Sequence, residues 1–171
     1  GRPVEAAGAF SRLTQRYPGH PRIVEANLFL GDLAFDRGDY RQAQNQYRKV
    51  LSSASAEMLG YANFRLAWAL RLAGETQLAL LQYEKTLAWA NQWEKTAFAK
   101  DLEQNTRQDL LSLYADAGDL KEATAYFNRW KENESALWLR DLAKELESSG
   151  QFEQAERLYR FLAVTDPTNH N

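Results

Sequence analysis

The stretch Arg37–Tyr47 reads RGDYRQAQNQY, and its pattern recurs three more times. Ala73–Tyr83 is AGETQLALLQY, Ala117–Phe127 is AGDLKEATAYF and Ser149–Tyr159 is SGQFEQAERLY. Each copy has a glycine, an alanine five residues later and an aromatic four beyond that. Anchoring on Gly38, Gly74, Gly118 and Gly150 gives spacings of 36, 44 and 32 residues. A leucine stands eight residues before each glycine, at Leu30, Leu66, Leu110 and Leu142. The next residue is Gly31, Ala67, Leu111 or Ala143, small in three of four copies. A fifth, partial copy opens the chain, where Ala6, Phe10, Leu13 and Pro18 match Ala155, Tyr159, Leu162 and Pro167.

The bulk composition is that of a folded chain. Of the 171 residues, 44% are hydrophobic and 26% charged, which argues against disorder. A net charge of −2 argues against nucleic-acid binding, which calls for a basic excess. The longest apolar run, Leu66–Leu70, falls far short of the roughly 18 residues that span a bilayer. With no cysteine, disulfides, thiolate metal sites and cysteine nucleophiles are excluded. The four prolines lie at 3, 18, 21 and 167, so the stretch between 22 and 166 is free to be helical with glycine-marked turns.

The recurring Leu, small, Gly, Ala and aromatic positions resemble the tetratricopeptide repeat, a helix–turn–helix unit of about 34 residues. The physics of the pattern agrees. Glycine supplies the left-handed residue that ends the first helix of each pair. Small residues let helices approach, and leucine and aromatic knobs fill the space between them. One hairpin cannot bury its apolar face alone, so stacked copies are needed for a continuous core. The expected fold is therefore all-α, a right-handed superhelical solenoid of hairpins. We expect a lone helix at 3–16 and hairpins at 21–54, 56–92, 94–132 and 134–165, forming one solenoid segment over 1–171. Its repeats run 1–20 (half), 21–55, 56–93, 94–133 and 134–167. The apolar last helix suggests a slice of a longer solenoid, because terminal repeats usually carry a polar capping face. Open ends of that kind could meet further repeats of the same protein or a second copy of the chain.

Departures from the family pattern are local. The aromatic common early in the first helix is replaced by Asn27, Asn63, Arg107 and Leu139, and Leu111 is bulky where a small residue is usual. The 44-residue spacing adds about ten residues to a standard repeat. Trp89, Trp93, Ala97 and Phe98 keep helical spacing there, so lengthened helices are expected, as a docking elbow or as aromatics packed on their neighbours.

Catalysis finds little support in the residue types. His20 and His170 lie outside the helical bodies, no metal site is expected, and no glycine-rich phosphate loop occurs. Asp32 and Asp36 form a carboxylate pair of the kind that cleaves glycosidic bonds when suitably separated. On a helical repeat such a pair is more commonly a solvated face, so neither catalytic residues nor a cofactor are expected.

The resemblance implies that partners bind on the concave face, lined by defined positions of each first helix. In this register those positions hold Glu25, Leu28, Asp32, Phe35 and Asp36, then Tyr61, Phe64, Trp68 and Arg71, and later Arg140 and Lys144. They do not reproduce the Lys/Asn/Arg clamp with which chaperone-binding relatives grip a peptide carboxylate. They form instead an aromatic stripe edged with carboxylates, suited to an apolar and basic peptide or helix. Trp68 and Phe64 could equally be core. The leading expectation is a protein–protein interaction scaffold. Carbohydrate contact is the alternative and a glycoside-cleaving enzyme the remote one. A compositional likeness to bacterial envelope proteins, including exopolysaccharide-export scaffolds, favours the periplasm or envelope over the cytoplasm.

Overall fold

The computed structural model describes residues 2–52, 55–93, 96–117, 119–130 and 134–165. Among them are nine helices and no strand: α1 (Arg2–Arg16), α2 (Ile23–Asp36), α3 (Tyr40–Leu51), α4 (Ala56–Leu72), α5 (Thr76–Gln92), α6 (Ala97–Ala117), α7 (Leu120–Trp130), α8 (Ser135–Ser148) and α9 (Phe152–Thr165). The chain divides into two compact units, residues 1–107 and 108–171, and α6 runs across the division.

The repeated glycines do the same work wherever they are described. Gly38, Gly74 and Gly150 have φ of +77°, +80° and +78°, a region that costs other L residues a steric clash. Each turn closes with the same pair of backbone bonds. Gly38 N–H donates to Phe35 C=O and Asp39 N–H to Ala34 C=O, both at 2.9 Å. Gly74 and Glu75 donate to Arg71 and Leu70, and Gly150 and Gln151 to Glu147 and Leu146. These are helix C-terminal caps that satisfy otherwise orphaned carbonyls and reverse the chain. The expected fourth cap, Gly118, lies outside the described residues. The next helix starts at once: Asp39 and Asp119 accept the N–H of Gln42 and Glu122 at 3.0 and 2.9 Å, the bond expected of an N-cap carboxylate.

In the first unit, α3 buries Ala43, Gln44, Tyr47 and Val50, spaced three and four apart on one face. Tyr47 lies against Gly31 so closely that a β-carbon there would sit 2.6 Å from its ring. Gln44, also buried, donates from Nε2 to Glu75 at 2.8 Å and so ties one hairpin to the turn of the next. A second close approach lies outside the repeat pattern. Gly60 on α4 faces Trp89 on α5, and that indole packs in turn against Trp93 and Phe98.

The second unit is cored by Leu110, Tyr114, Phe127, Trp138, Leu142 and Leu146, all fully buried. Phe127 stands edge-on to Tyr114 at 5.5 Å and packs on Trp138 at 5.0 Å. Gln151 donates from Nε2 to Ala115 C=O at 3.1 Å, tying the α8–α9 turn back to the last turn of α6.

Candidate functional site

Five of the eleven expected partner-binding residues, Asp32, Phe35, Tyr61, Phe64 and Trp68, gather where α2 and α4 of the first unit meet. The centre of the face they form is polar. Asp32 Oδ1 accepts from Tyr47 Oη at 2.7 Å and from Arg65 Nε at 2.9 Å. Arg65 Nε also lies 3.2 Å from the Tyr47 hydroxyl, closing a triangle across α2, α3 and α4. The Arg65 side chain is 14% exposed and that of Asp32 33%, so water reaches the carboxylate far better than the guanidinium. Arg65 also caps the Phe35 ring at 4.4 Å, a cation–π contact in a partly desolvated setting.

Around this centre runs a chain of rings. Phe35 stacks on Trp68 at 5.9 Å and meets the edge of Tyr40 at 5.5 Å. Trp68 packs on Phe64 at 5.6 Å, and Phe64 on Tyr83 at 6.1 Å. Phe64 is 9% exposed and belongs to the core, whereas Phe35, Tyr61 and Trp68 are half-buried.

Electrostatics follow from the same packing. Burial pushes the Tyr47 phenol far above its usual range, and its hydrogen bond to Asp32 adds to the shift; the Arg65 charge opposes it. Tyr61 moves in the same direction, first through burial and then through the Asp32 charge. For Tyr47 the sign is definite. The unfolded chain releases this proton near pH 10 while the folded chain keeps it, so the stabilisation is complete below pH 10 and is lost as pH rises. From this group alone the loss approaches ~1.4 kcal/mol per pH unit above ~10. Equilibrium unfolding between pH 9 and 11 should show a steeper fall for the parent protein than for Tyr47→Phe; equal slopes would contradict the assignment.

The other expected residues are more dispersed. Glu25 is exposed and pairs with Arg22 at 2.7 Å, Leu28 and Arg71 are half-buried, and Asp36 is exposed at the end of α2. Arg140 and Lys144 lie one turn apart on α8 in the second unit, with Lys144 3.4 Å from Asp141. Among the described residues no group of three or more His, Asp or Glu is placed to hold a metal ion. No described helix is long and apolar enough to cross a membrane.

Two participants were not anticipated as site residues. Arg65 falls between the expected register positions. Its signal is that it is the one charged residue between residues 58 and 70. Tyr47 was anticipated as a packing knob, and its ring is that, but the hydroxyl also holds Asp32.

Comparison with known proteins bears on the fold. A family profile described as tetratricopeptide repeat matches residues 1–40 and 28–93, together more than half the chain. Among solved structures, the nearly identical TPR-like repeats of a Podosopora anserina protein named as a kinesin light chain superpose with a TM-score of 0.65 at 16% identity. They cover 99% of this chain and 87% of that one. A second crystal structure of those repeats gives the same TM-score and identity, with 99% and 88% covered. MamA superposes with a TM-score of 0.58 at 15% identity, covering 95% of this chain and 87% of that one. At such identities these likenesses speak to the fold alone. No curated protein sequence matches the chain.

Proposed function

Because the chain belongs to the tetratricopeptide repeat family, we propose that it is a non-catalytic scaffold that binds a partner protein on the α2/α4 face of its first unit. The observation that carries this reading is the half-open aromatic row of Phe35, Tyr61 and Trp68 beside the exposed Asp36. Large, stiff rings that keep part of their surface in water gain most when a partner covers them. Phe35 and Trp68 are already held in place by Arg65 and by each other, so little side-chain entropy is lost on docking.

The face also defines the partner's chemistry. Asp32 is occupied by Tyr47 and Arg65, which leaves Asp36 as the carboxylate best placed to meet a basic group. A segment with an apolar anchor for Trp68 and a lysine or arginine near Asp36 fits both features. Arg140 and Lys144 on α8 of the second unit are a second proposed contact, for an acidic partner segment. The compositional likeness of this Gln- and Trp-rich chain to bacterial envelope repeat proteins is the basis for proposing an envelope assembly as the setting.

The test is affinity capture from native extract with the whole chain as bait, beside Asp36→Lys and Trp68→Ala, followed by affinity measurement with the purified partner. Each variant should weaken binding by about 30-fold, the size of a hot-spot loss near 2 kcal/mol. Circular dichroism should show both variants folded at the assay temperature. A partner held equally by parent and both variants would move the docking surface away from this face.

A further inference from the structure

A groove of about 470 Å³, wide open to solvent, lies between α7 and α9 of the second unit. Leu120 and Ala125 from α7 and Leu158 and Phe161 from α9 make most of its wall apolar. Leu158 is buried, whereas Phe161 is 39% exposed, a large ring surface for a side chain to leave in water. Two cations line the groove, Lys121 and Arg157, and no carboxylate does. Arg157 is engaged by Glu153 at 2.6 Å, but that pair is exposed on both sides, holds little energy and yields readily to a competitor. Lys121 is exposed and has no ion-pair partner among the described residues. It stands in the first turn of α7, where the helix dipole disfavours a cation, so its charge does nothing for the helix that carries it.

We propose that this groove receives an acidic amphipathic helix of a partner protein. The helix seats apolar side chains between α7 and α9 and sets carboxylates against Lys121 and Arg157. Three features select that occupant. A small ligand needs most of its surface covered, which so open a recess does not provide, whereas a helix brings its own cover. Apolar side chains one turn apart on a helix fit a groove between two helices, a recurring mode of recognition. The charge sign follows from a lining with two cations and no carboxylate, which rewards an acidic segment and repels a basic one. An anionic bilayer shares that sign, but bilayers are held by clusters of about 4–8 basic residues, and the apolar residues here line a recess rather than a protruding edge. The groove shares no residue with the aromatic row or with Arg140 and Lys144, so each reading can fail without the other.

The experiment titrates the whole chain into a fluorescein-labelled, alanine-rich synthetic helix of about 20 residues, read by anisotropy. The probe carries a leucine and a phenylalanine one turn apart with glutamates beside them. Its twin has glutamines for the glutamates, a neutral control that the carboxylates of the α2/α4 face do not attract. The acidic helix should bind with a Kd on the order of 10–100 µM, and the twin roughly tenfold more weakly. Phe161→Ala should weaken the acidic helix by roughly tenfold, and Trp68→Ala should leave it unchanged. In Lys121→Glu/Arg157→Glu the order should reverse, with the twin now the tighter ligand. Misfolding weakens both helices and cannot reverse their order, so if Phe161→Ala fails to fold, the charge reversal decides. The proposal is overturned if both helices bind the parent alike, if neither saturates below about 1 mM, or if the order survives charge reversal. It is also overturned if phosphatidylserine–phosphatidylcholine vesicles bind the chain through Lys121, or if sedimentation shows copies of the chain associating through Lys121.

Discussion

Asp32→Ala is expected to lower the unfolding free energy by about 2–4 kcal/mol. The loss has two sources. The Arg65 guanidinium, 14% exposed, is left without its carboxylate, and the Tyr47 hydroxyl, on a fully buried residue, is left without its acceptor. Removing one member of a buried pair is costly mainly because of what the other members then lack. The figure stays below the value for a fully buried pair because Asp32 is itself a third exposed and water can partly replace it. Asp32→Asn keeps an acceptor and should cost only about 1–2 kcal/mol. Urea unfolding followed by tryptophan fluorescence and circular dichroism measures both. A change within about 0.5 kcal/mol for the alanine variant, the range of ordinary surface substitutions, would mean that the carboxylate is effectively solvated and free to serve a partner. The result also governs how binding data are read, because lost partner affinity in an Asp32 variant reports a disturbed fold as much as a lost contact.

Gly60→Val should be comparably damaging, at about 3 kcal/mol. A β-carbon at this position would lie 2.3 Å from Cε3 and 2.4 Å from Cδ2 of Trp89, distances that no rotamer of the new residue relieves. The indole has little room to retreat, being 8% exposed, stacked on Trp93 at 6.0 Å and met edge-on by Phe98 at 5.9 Å. The alanine variant makes the cause visible in the sign. Helix propensity alone would have Gly60→Ala stabilise by up to ~1 kcal/mol, whereas the steric conflict predicts a net loss of about 1–2 kcal/mol. Gly8, inside α1, is the internal control. Its added β-carbon would meet only the Arg12 guanidinium at 3.6 Å, so Gly8→Ala should stabilise by ~0.5–1 kcal/mol. Thermal unfolding of the three variants distinguishes these effects. A stabilised Gly60→Ala protein would refute the close approach, and Trp89→Leu should restore much of the loss by coupling to it.

The contrast between Gly38 and Gly60 shows what could be read from the chain and what could not. Gly38, Gly74 and Gly150 announce themselves by period, and φ near +78° is a backbone requirement that local sequence expresses. Gly60 belongs to no period; its requirement is set by an indole 29 positions along the chain. The same division runs through the α2/α4 face. Helical spacing places Asp32, Phe35, Tyr61 and Trp68 on it, because a 3.6-residue period reports which side of a helix a residue occupies. It does not report what stands opposite, so neither the reach of Tyr47 to Asp32 nor the role of Arg65 follows from spacing.

The three matching glycine turns also have a kinetic consequence. Each closes within a few residues, and the helices it joins meet over short sequence separations, so the entropy lost in forming a hairpin is small. Chains dominated by such local contacts fold quickly, and any of these hairpins can serve as the nucleus on which its neighbour assembles. Unfolding need not then be all-or-none. Amide exchange should resolve into hairpin blocks centred on Gly38, Gly74 and Gly150, with protection inside a block rising and falling together.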